Sequence, residues 1–554
     1  MVSLKRYFGC LLLSLLLPIC MYGQSHEMIV PPLGVGQYLN SVIMGDTTAT
    51  GERADPERVY VLTRGNYYYV NTTITNTGGW VLRIKATEGT GTRPFIIAQR
   101  NASTSANTNL MQLAGDAYLK NVVLSGYDDI DTTRISTMQG YLIRINTPGP
   151  RLVIDSCVLT NSSGNHIRTD QSANDIFVTN SVFGNMGSFF TSNAGAGKAI
   201  DLRAGSIDTL LFRNNTFVNF IDRIVRHRGS APGVFMNTFI FDHNTVVNGM
   251  SFHGTLVLGA VGEKVQITNN LFVDPFALGS DTDATRQAEF NESTELDSYG
   301  KAKMNWIFSV PNETTQWTVS NNYYAISDSG KAFFERYKNA PGFAGNEGEP
   351  LTDHIKGKIG AGAATAFVKE DAVVLTKTPR LMTNMMDWYR DPLGGNKTKN
   401  TPNFNLWNPA TDDYNRKQME YYEDTLDCSY PTTTAAYTGS SNGGPVGDLN
   451  WFTEGGIGVK ENPALVASNF SLAQNYPNPF NPSTVIRYSI PENAHVTLKV
   501  FNLLGQEIAE LVNGQQKAAA YDVTFDASKL STGIYFYTVK AGKYTSTKKM
   551  MLIK

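Results

Sequence analysis

The chain has 554 residues, a formal net charge of −2 and an isoelectric point near 6.4, and only 17% of its residues are charged. A near-neutral chain exerts no general pull on nucleic acid, so that class of partner is excluded. Of its four cysteines, Cys10 and Cys20 lie in the leader, leaving Cys157 and Cys428 and at most one disulfide, so the core must come from packing.

Taken in chain order, Lys5 and Arg6 precede an apolar run at 10–20, and the small Gly23 follows it. A charged start, an apolar stretch of that length and a small residue at the cut describe a Sec signal peptide over 1–23, not a membrane span. Ile19 is too large for the residue before a lipidated cysteine, which argues against Cys20 as an anchor. No later segment is long and apolar enough to cross a bilayer, so the expectation is export with no transmembrane segment.

Within 24–330, read as one solenoid domain with its N-terminal cap, an internal repeat runs between about residues 118 and 325. One phrase, apolar–x–apolar–x–Asn–Asn–x–Phe–x–Asn, recurs with its first Asn-like position at Asn121, Ser156, Asn180, Asn214, His243, Asn269 and Asn321. The steps are 35, 24, 34, 29, 26 and 52 residues. Short strands repeating at such a spacing, without helical periodicity, predict a parallel β-solenoid. Stacked asparagines at a coil corner would satisfy turn amides otherwise buried unpaired, with His243 mimicking their hydrogen bonds. The Phe, Val or Leu two residues later would stack inside. Residues 55–100 read as the first rungs and the N-terminal cap.

A second column of strands is offset from this corner, at 141–146, 166–170, 198–203, 223–228 and 255–259. Strand residues alternate sides. With Ile143, Ile167 and Ile200 inward, Arg144, Arg168 and Asp201 face out on neighbouring rungs, with His166, Asp170 and Arg203 near the edges. The fourth strand adds Arg223, Arg226, His227 and Arg228, in a register open by one residue. A local stripe of Arg, Lys and His on a neutral protein suits an anionic ligand, because Arg forks onto carboxylates. The substrate-binding candidates are therefore Arg144, Arg168, Asp201, Arg203 and Arg223. Exposed ion-pair ladders without catalytic role are the competing reading. The long insertion at 274–306 is rich in Asp and Glu; it reads as a solvated acidic loop or an oxygen-rich calcium site.

Residues 331–460 break the repeat, with helices expected at 331–338 and 412–426, and read as a C-terminal cap on the solenoid end. A linker at 461–468 leads to 469–554, where 485–490, 496–502, 521–525, 533–539 and 548–554 alternate as half-buried strands. NPFNP at 478–482 has two prolines that cannot join a ladder, and Gly505 and Gly533 mark turns.

The segment NYPNPFNP, the LGQE turn at 504–507, the run at 525–537 and the basic end KKMMLIK together resemble the type A C-terminal sorting domain of type IX secretion. That resemblance implies a small immunoglobulin-like β-sandwich, partnership with the secretion machinery and its sortase, and a secreted or outer-membrane-surface destination. The Asn repeat resembles the right-handed parallel β-helix of the pectate-lyase-like superfamily. Lys198 with Arg226-His227-Arg228-Gly229 is similar to the Lys and Arg-His-Gly pair of chondroitinase B and the alginate lyases, one residue longer here. It implies Lys198 as base and Arg226 as acid, with His227 beside them, in β-elimination of an acidic polysaccharide. It also implies calcium, although that family's Asn and Glu ligands have no counterpart before Lys198. The expected architecture is all-β, a monomeric right-handed parallel β-helix followed by a sandwich. The expected function is recognition of an acidic polysaccharide, with or without lysis; the alternative is a non-catalytic adhesive surface protein.

Overall fold

The computed structural model describes residues 26–89, 91–99, 109–128, 139–187, 195–229, 233–281, 304–340, 342–343, 345–390, 426–452, 459–462, 470–472, 475, 480, 482–503 and 505–552. The expected signal peptide, and the helix expected at 412–426 up to its last residue, lie outside them.

Three strands per coil wind a parallel β-helix. Sheet one includes Leu152–Asp155, Ala173–Thr179, Ile207–Arg213 and Met236–Asp242; sheet two includes Val158–Ser162, Val182–Met186, Thr216–Phe220 and Thr245–Gly249; sheet three includes Tyr141–Ile145, Asn165–Thr169, Lys198–Leu202 and Arg223–His227. Each strand pairs in parallel with its counterparts one coil before and after. Leu124, Leu159, Phe183, Phe217, Val246 and Phe272, each three residues past the first Asn-like position of the phrase, form one such stack in the solenoid core.

The repeat has a backbone cause. Asn121, Ser156, Asn180, Asn214, His243, Asn269 and Asn321 all adopt left-handed conformation, with φ from 51 to 59°. That conformation costs most L-residues about 1–2 kcal/mol, and Asn least among non-glycines. These residues turn the chain from sheet one into sheet two. The next residue faces inward. Asn215, Asn244, Asn270 and Asn322 form a buried ladder in which each Nδ2 donates to the next Oδ1 at 3.0, 3.2 and 2.8 Å. The same Oδ1 atoms accept the backbone N–H groups of Ser181, Asn215, Asn244 and Asn270. A third column, Asn161, Asn185, Asn219 and Asn248, turns the chain out of sheet two with φ from 53 to 58° and is laddered at 2.8, 3.0 and 3.2 Å.

Two boundaries differ from expectation. The N-terminal cap is the helix Leu39–Gly45, which drives Leu39 and Ile43 into the core upstream of 55–100, while Glu27–Val30 already pairs with Val59–Leu62. The solenoid also runs past 330: Glu349–Leu351 pairs with Asn305–Val310, and Phe367–Lys369 with Asn322–Ala325. Leu351, Ile355 and Ala366 then close the core. Of 331–460, the other described residues up to 452 lie along the sides of the solenoid and not over its end. The helices Asp328–Tyr337 and Thr383–Arg390 pack with Met250, Phe252, Ala277 and Leu278 on the flank. Residues 426–452 cross the outer face of sheet two, where Leu426 and Cys428 cover Phe95, Val123, Val158, Val218 and Val247. The asparagine corners hold this strap. Asn214 Oδ1 accepts Leu449 N at 2.5 Å, Asn269 Oδ1 accepts Ser441 N at 2.8 Å, and Asn321 Nδ2 donates to Gly439 O at 2.8 Å. Cys157 lies in the solenoid core and Cys428 under the strap; both are free thiols, and burial pushes that of Cys157 up to about 12.

The C-terminal part is a sandwich of two four-stranded antiparallel sheets. Its core includes Ile486, Tyr488, Leu498, Val500, Tyr521, Tyr537, Val539 and Met550. Val459–Asn462 joins one of these sheets beside Ala519–Asp526, so the linker expected at 461–468 begins inside a strand.

Two stability predictions follow from the columns. Asn244→Ala removes four hydrogen bonds and strands two buried donors, the backbone N–H and the Nδ2 of Asn215. It should lower unfolding free energy by about 2–4 kcal/mol in urea titration, whereas Asn180→Ala, which loses its bonds with Asp155 and Asn214 and its ease in the left-handed conformation, should cost about 1–3 kcal/mol, part of it regained in Asn180→Gly. Asp274 takes the place of Asn in the third column, with φ 49°. Burial pushes its carboxyl from the ordinary 3.8 up to about 6, against the Ser327 N–H that it accepts at 3.0 Å. A raised folded value means that stability is fully present below about 4 and is lost as pH rises through about 6. Asp274→Asn should therefore be more stable than wild type at pH 8, by up to about 3 kcal/mol, and show no such gain at pH 4.

Candidate functional site

Sheet three builds the candidate site from aligned columns. Asn165, Lys198 and Arg223 share one register; Ile143, Ile167, Ile200 and Val225 the next; Arg144, Arg168, Asp201 and Arg226 the third; Thr169, Leu202 and His227 a fourth. The inward Ile–Val column confirms the alternation and fixes the open register of the fourth strand.

The outward charges are paired. Arg144 Nε and Arg168 Nε both donate to Asp170, at 2.7 and 2.8 Å. Partial burial works against the charge of Asp170, but these two guanidiniums hold its carboxyl below the usual range. Arg168 also lies over the Tyr141 ring, 4.9 Å from its centroid, and donates to its hydroxyl. Arg226 Nη1 meets Asp201 Oδ1 at 3.3 Å, and Asn165 Nδ2 donates to Asp201 Oδ2 at 3.3 Å.

Lys198 is buried rather than presented. Its Nζ lies 2.8 Å from Asp222 Oδ2, and it donates to Gly195 O. Asp222 also receives Arg223 Nε at 3.0 Å and His253 Nδ1 at 2.7 Å. The side chains of Lys198, Arg223 and His253 are each 3% exposed and that of Asp222 is 0%. Burial alone would raise the Asp222 carboxyl, but Arg223, Lys198 and His253 hold it well below the carboxylate range. Burial pulls Lys198 below the ordinary lysine value, opposed by Asp222 and Asp201.

The structure corrects several expected site residues. His227 does not join Lys198. It sits in the inward-facing fourth column, buried, with Nδ1–H donating to Leu258 O at 3.0 Å, and burial lowers its pKa. His166 likewise is not at the edge of the face but stacks inside on Phe183, pushed down to about 3 by burial. Arg223, expected to meet substrate, is buried on Asp222, and Asp201 is buried on Arg226 and Asn165. Arg226 lies three residues along its strand from the register of Lys198, about 10 Å away. The base and acid implied by resemblance are bound to different carboxylates, Lys198 to Asp222 and Arg226 to Asp201. Arg203 is exposed on the turn after its strand, as is Arg228 one coil on, where Arg228 N donates to Leu202 O at 3.0 Å. Sequence reading missed Asp222, His253, Asn165 and Tyr141. Asp222 directly precedes the fourth strand, and its place beside Arg223 was the available signal.

Among the described residues no group of three or more His, Cys, Asp or Glu side chains is placed to hold a metal ion. Asp201, Asp222 and Asp170 are each engaged by cations, so the residues around Lys198 do not fit the calcium that the resemblance implies, and no step is derived through it. Most of the acidic insertion lies outside the described residues. Within it, Asp281 accepts Arg390 Nη1 at 2.6 Å in a buried pair.

Residues 474–554 match the family model of the secretion system C-terminal sorting domain. The tail is a type IX sorting domain. It directs the protein through type IX secretion to the cell surface or the extracellular space, and its partner is that machinery. The sorting domain's geometry explains part of its motif. Asn475 donates its backbone N–H to Tyr537 OH at 2.7 Å and its side chain to Thr484 Oγ1 at 2.9 Å, while Phe480 N bonds Met551 O. The turn before Glu507 closes through Asn502 Oδ1, which accepts Gln506 N, and through Gly505 at φ 75°. No curated protein matches the chain. Among the described residues no helix is long and apolar enough to cross a membrane.

Removing Asp222 strands Lys198, Arg223 and His253 in a buried site. Asp222→Ala should destabilise the protein by about 3–5 kcal/mol, and Lys198→Met by distinctly less, because Arg223 and His253 still neutralise the carboxylate. Chemical denaturation of the two variants checks the order; equal losses would contradict it.

Proposed function

We propose that the solenoid is a non-catalytic binding scaffold for an acidic polysaccharide, carried outside the cell by its sorting domain. The observation that carries this reading is exposed positive charge at one corner of sheet three. On the face of that sheet Arg144 and Arg168 engage Asp170, Lys198 and Arg223 engage Asp222, and Arg226 engages Asp201. Beside them Arg203 and Arg228 stand exposed on neighbouring coils, and among the described residues neither makes an ion pair. Rungs about 4.8 Å apart repeat that charge at a spacing suited to a polymer bearing regular carboxylates. Lysis is not part of the reading. A base must reach the substrate proton, and Lys198 is covered and held by Asp222.

Affinity electrophoresis of the full-length chain in alginate, pectate, chondroitin sulfate or dextran tests it. An acidic polymer should retard the protein, dextran should not, and salt should weaken the effect. The double variant Arg203→Ala, Arg228→Ala should bind about five- to tenfold more weakly. Absorbance near 235 nm, which reports unsaturated uronate, should stay flat. Equal retardation by dextran, no retardation by any acidic polymer, or a 235 nm rise lost in Lys198→Ala would overturn the reading.

A further inference from the structure

The corner that carries Arg203 and Arg228 continues into a cleft. Leu256–Thr268 is a single strand of 13 residues that runs from sheet three into sheet one, bending at Gly259, φ 59°. Its register against Met236–Asp242 slips between Met236 and Thr238. At that slip an open cleft of about 480 Å³ forms, with Phe235, Asn237, Gly262, Glu263, Lys264 and Gln316 among its lining. Its size falls within the roughly 300–1,000 Å³ of small-ligand sites.

The lining is unusual for this protein. Phe235 is 41% exposed, more than any other phenylalanine among the described residues. The floor is bare backbone: a Cβ on Gly262 would press on Asn237, at 2.6 Å from its Oδ1 and 3.2 Å from its Cα. Asn237 Nδ2 donates to Asp208 Oδ1 at 3.2 Å, which fixes its amide with Oδ1 toward Gly262. Lys264 and Gln316 are in register on successive coils, and among the described residues Lys264 makes no ion pair.

We infer that this cleft seats one pyranose ring of the acidic polysaccharide, an inference that rests on the binding function proposed above. The apolar C–H face of the ring lies on Phe235. Asn237, Gln316 and Glu263 hydrogen-bond its hydroxyls, and Lys264 takes its carboxylate. An exposed aromatic ring beside planar amides and a single cation has the mixed apolar and polar character that a sugar acid requires. Neighbouring sugars then reach Arg228 and Arg203 along the same corner.

The test uses the full-length chain and the acidic polymer it binds best, with that polymer's trisaccharide and maltotriose as short probes in calorimetry. Phe235→Ala and Lys264→Ala should each weaken binding of polymer and acidic trisaccharide at least fivefold with unchanged melting temperature, and Phe235→Trp should retain it. If both alanine variants bind at wild-type strength while Arg203→Ala, Arg228→Ala does not, the cleft assignment falls and the proposed function stands. If wild type binds no acidic polymer, both fall. Maltotriose bound as tightly as the acidic trisaccharide would overturn the assignment of Lys264 and with it the inference.

Discussion

The left-handed corner between sheets one and two is the constraint on which the molecule depends. Each coil must turn there within two residues, and a single residue with φ near +55° does it. Such a turn leaves inward-facing N–H groups with no strand partner. The buried amide of the following residue accepts them and passes its own N–H to the coil beyond. The conformational cost and the hydrogen-bond deficit of one turn are thus met by the next, so stability is a property of the stack and not of any coil alone. Register at this corner then carries round the coil to sheet three and decides which charged side chains become neighbours.

On sheet three, facing outward does not mean reaching water. The column of Lys198 and Arg223 is as buried as the core, and its charges survive because Asp222 bonds three partners at once. Buried ion clusters contribute little net stability compared with apolar packing, yet they penalise any shift that separates their members. This cluster pins coils to one another at the corner between sheets two and three, beside the third asparagine column. The accessible charge has moved to the turns, at Arg203 and Arg228, and that is where a ligand can compete with water rather than with a carboxylate.

Much of this was legible in the residues. The Asn phrase revealed the solenoid because one backbone conformation selects one side chain at each corner, even where His243 or Ser156 replaces asparagine. The sorting domain was legible through a motif whose Asn475 and Gly505 have fixed structural duties. The alternation that set Ile143, Ile167 and Ile200 inward was also correct. What could not be read was depth. Periodicity assigns a side chain to a face, but whether that face is covered depends on segments distant in sequence. The role of Lys198 therefore looked catalytic, whereas its partner Asp222 and the ring of His253 came from two different later coils. The same blindness made residues 426–452 look like an end cap, because nothing in their composition says that they cross sheet two. The cleft at Gly262 escaped notice because a register slip leaves no periodic trace.

That strap has a consequence for how the protein is made. Thr216 and Asp448, joined by a 2.8 Å hydrogen bond, are separated by 232 residues, and Asn214 reaches Leu449 across 235. Coils can wind as they emerge, since their contacts are with the preceding coil. The apolar flank of sheet two cannot be covered until the chain has been delivered almost to its sorting signal. A nascent or half-translocated molecule therefore displays a sticky strip of Val123, Val158, Val218 and Val247, and the sandwich that addresses the protein for export follows directly on the segment that hides it.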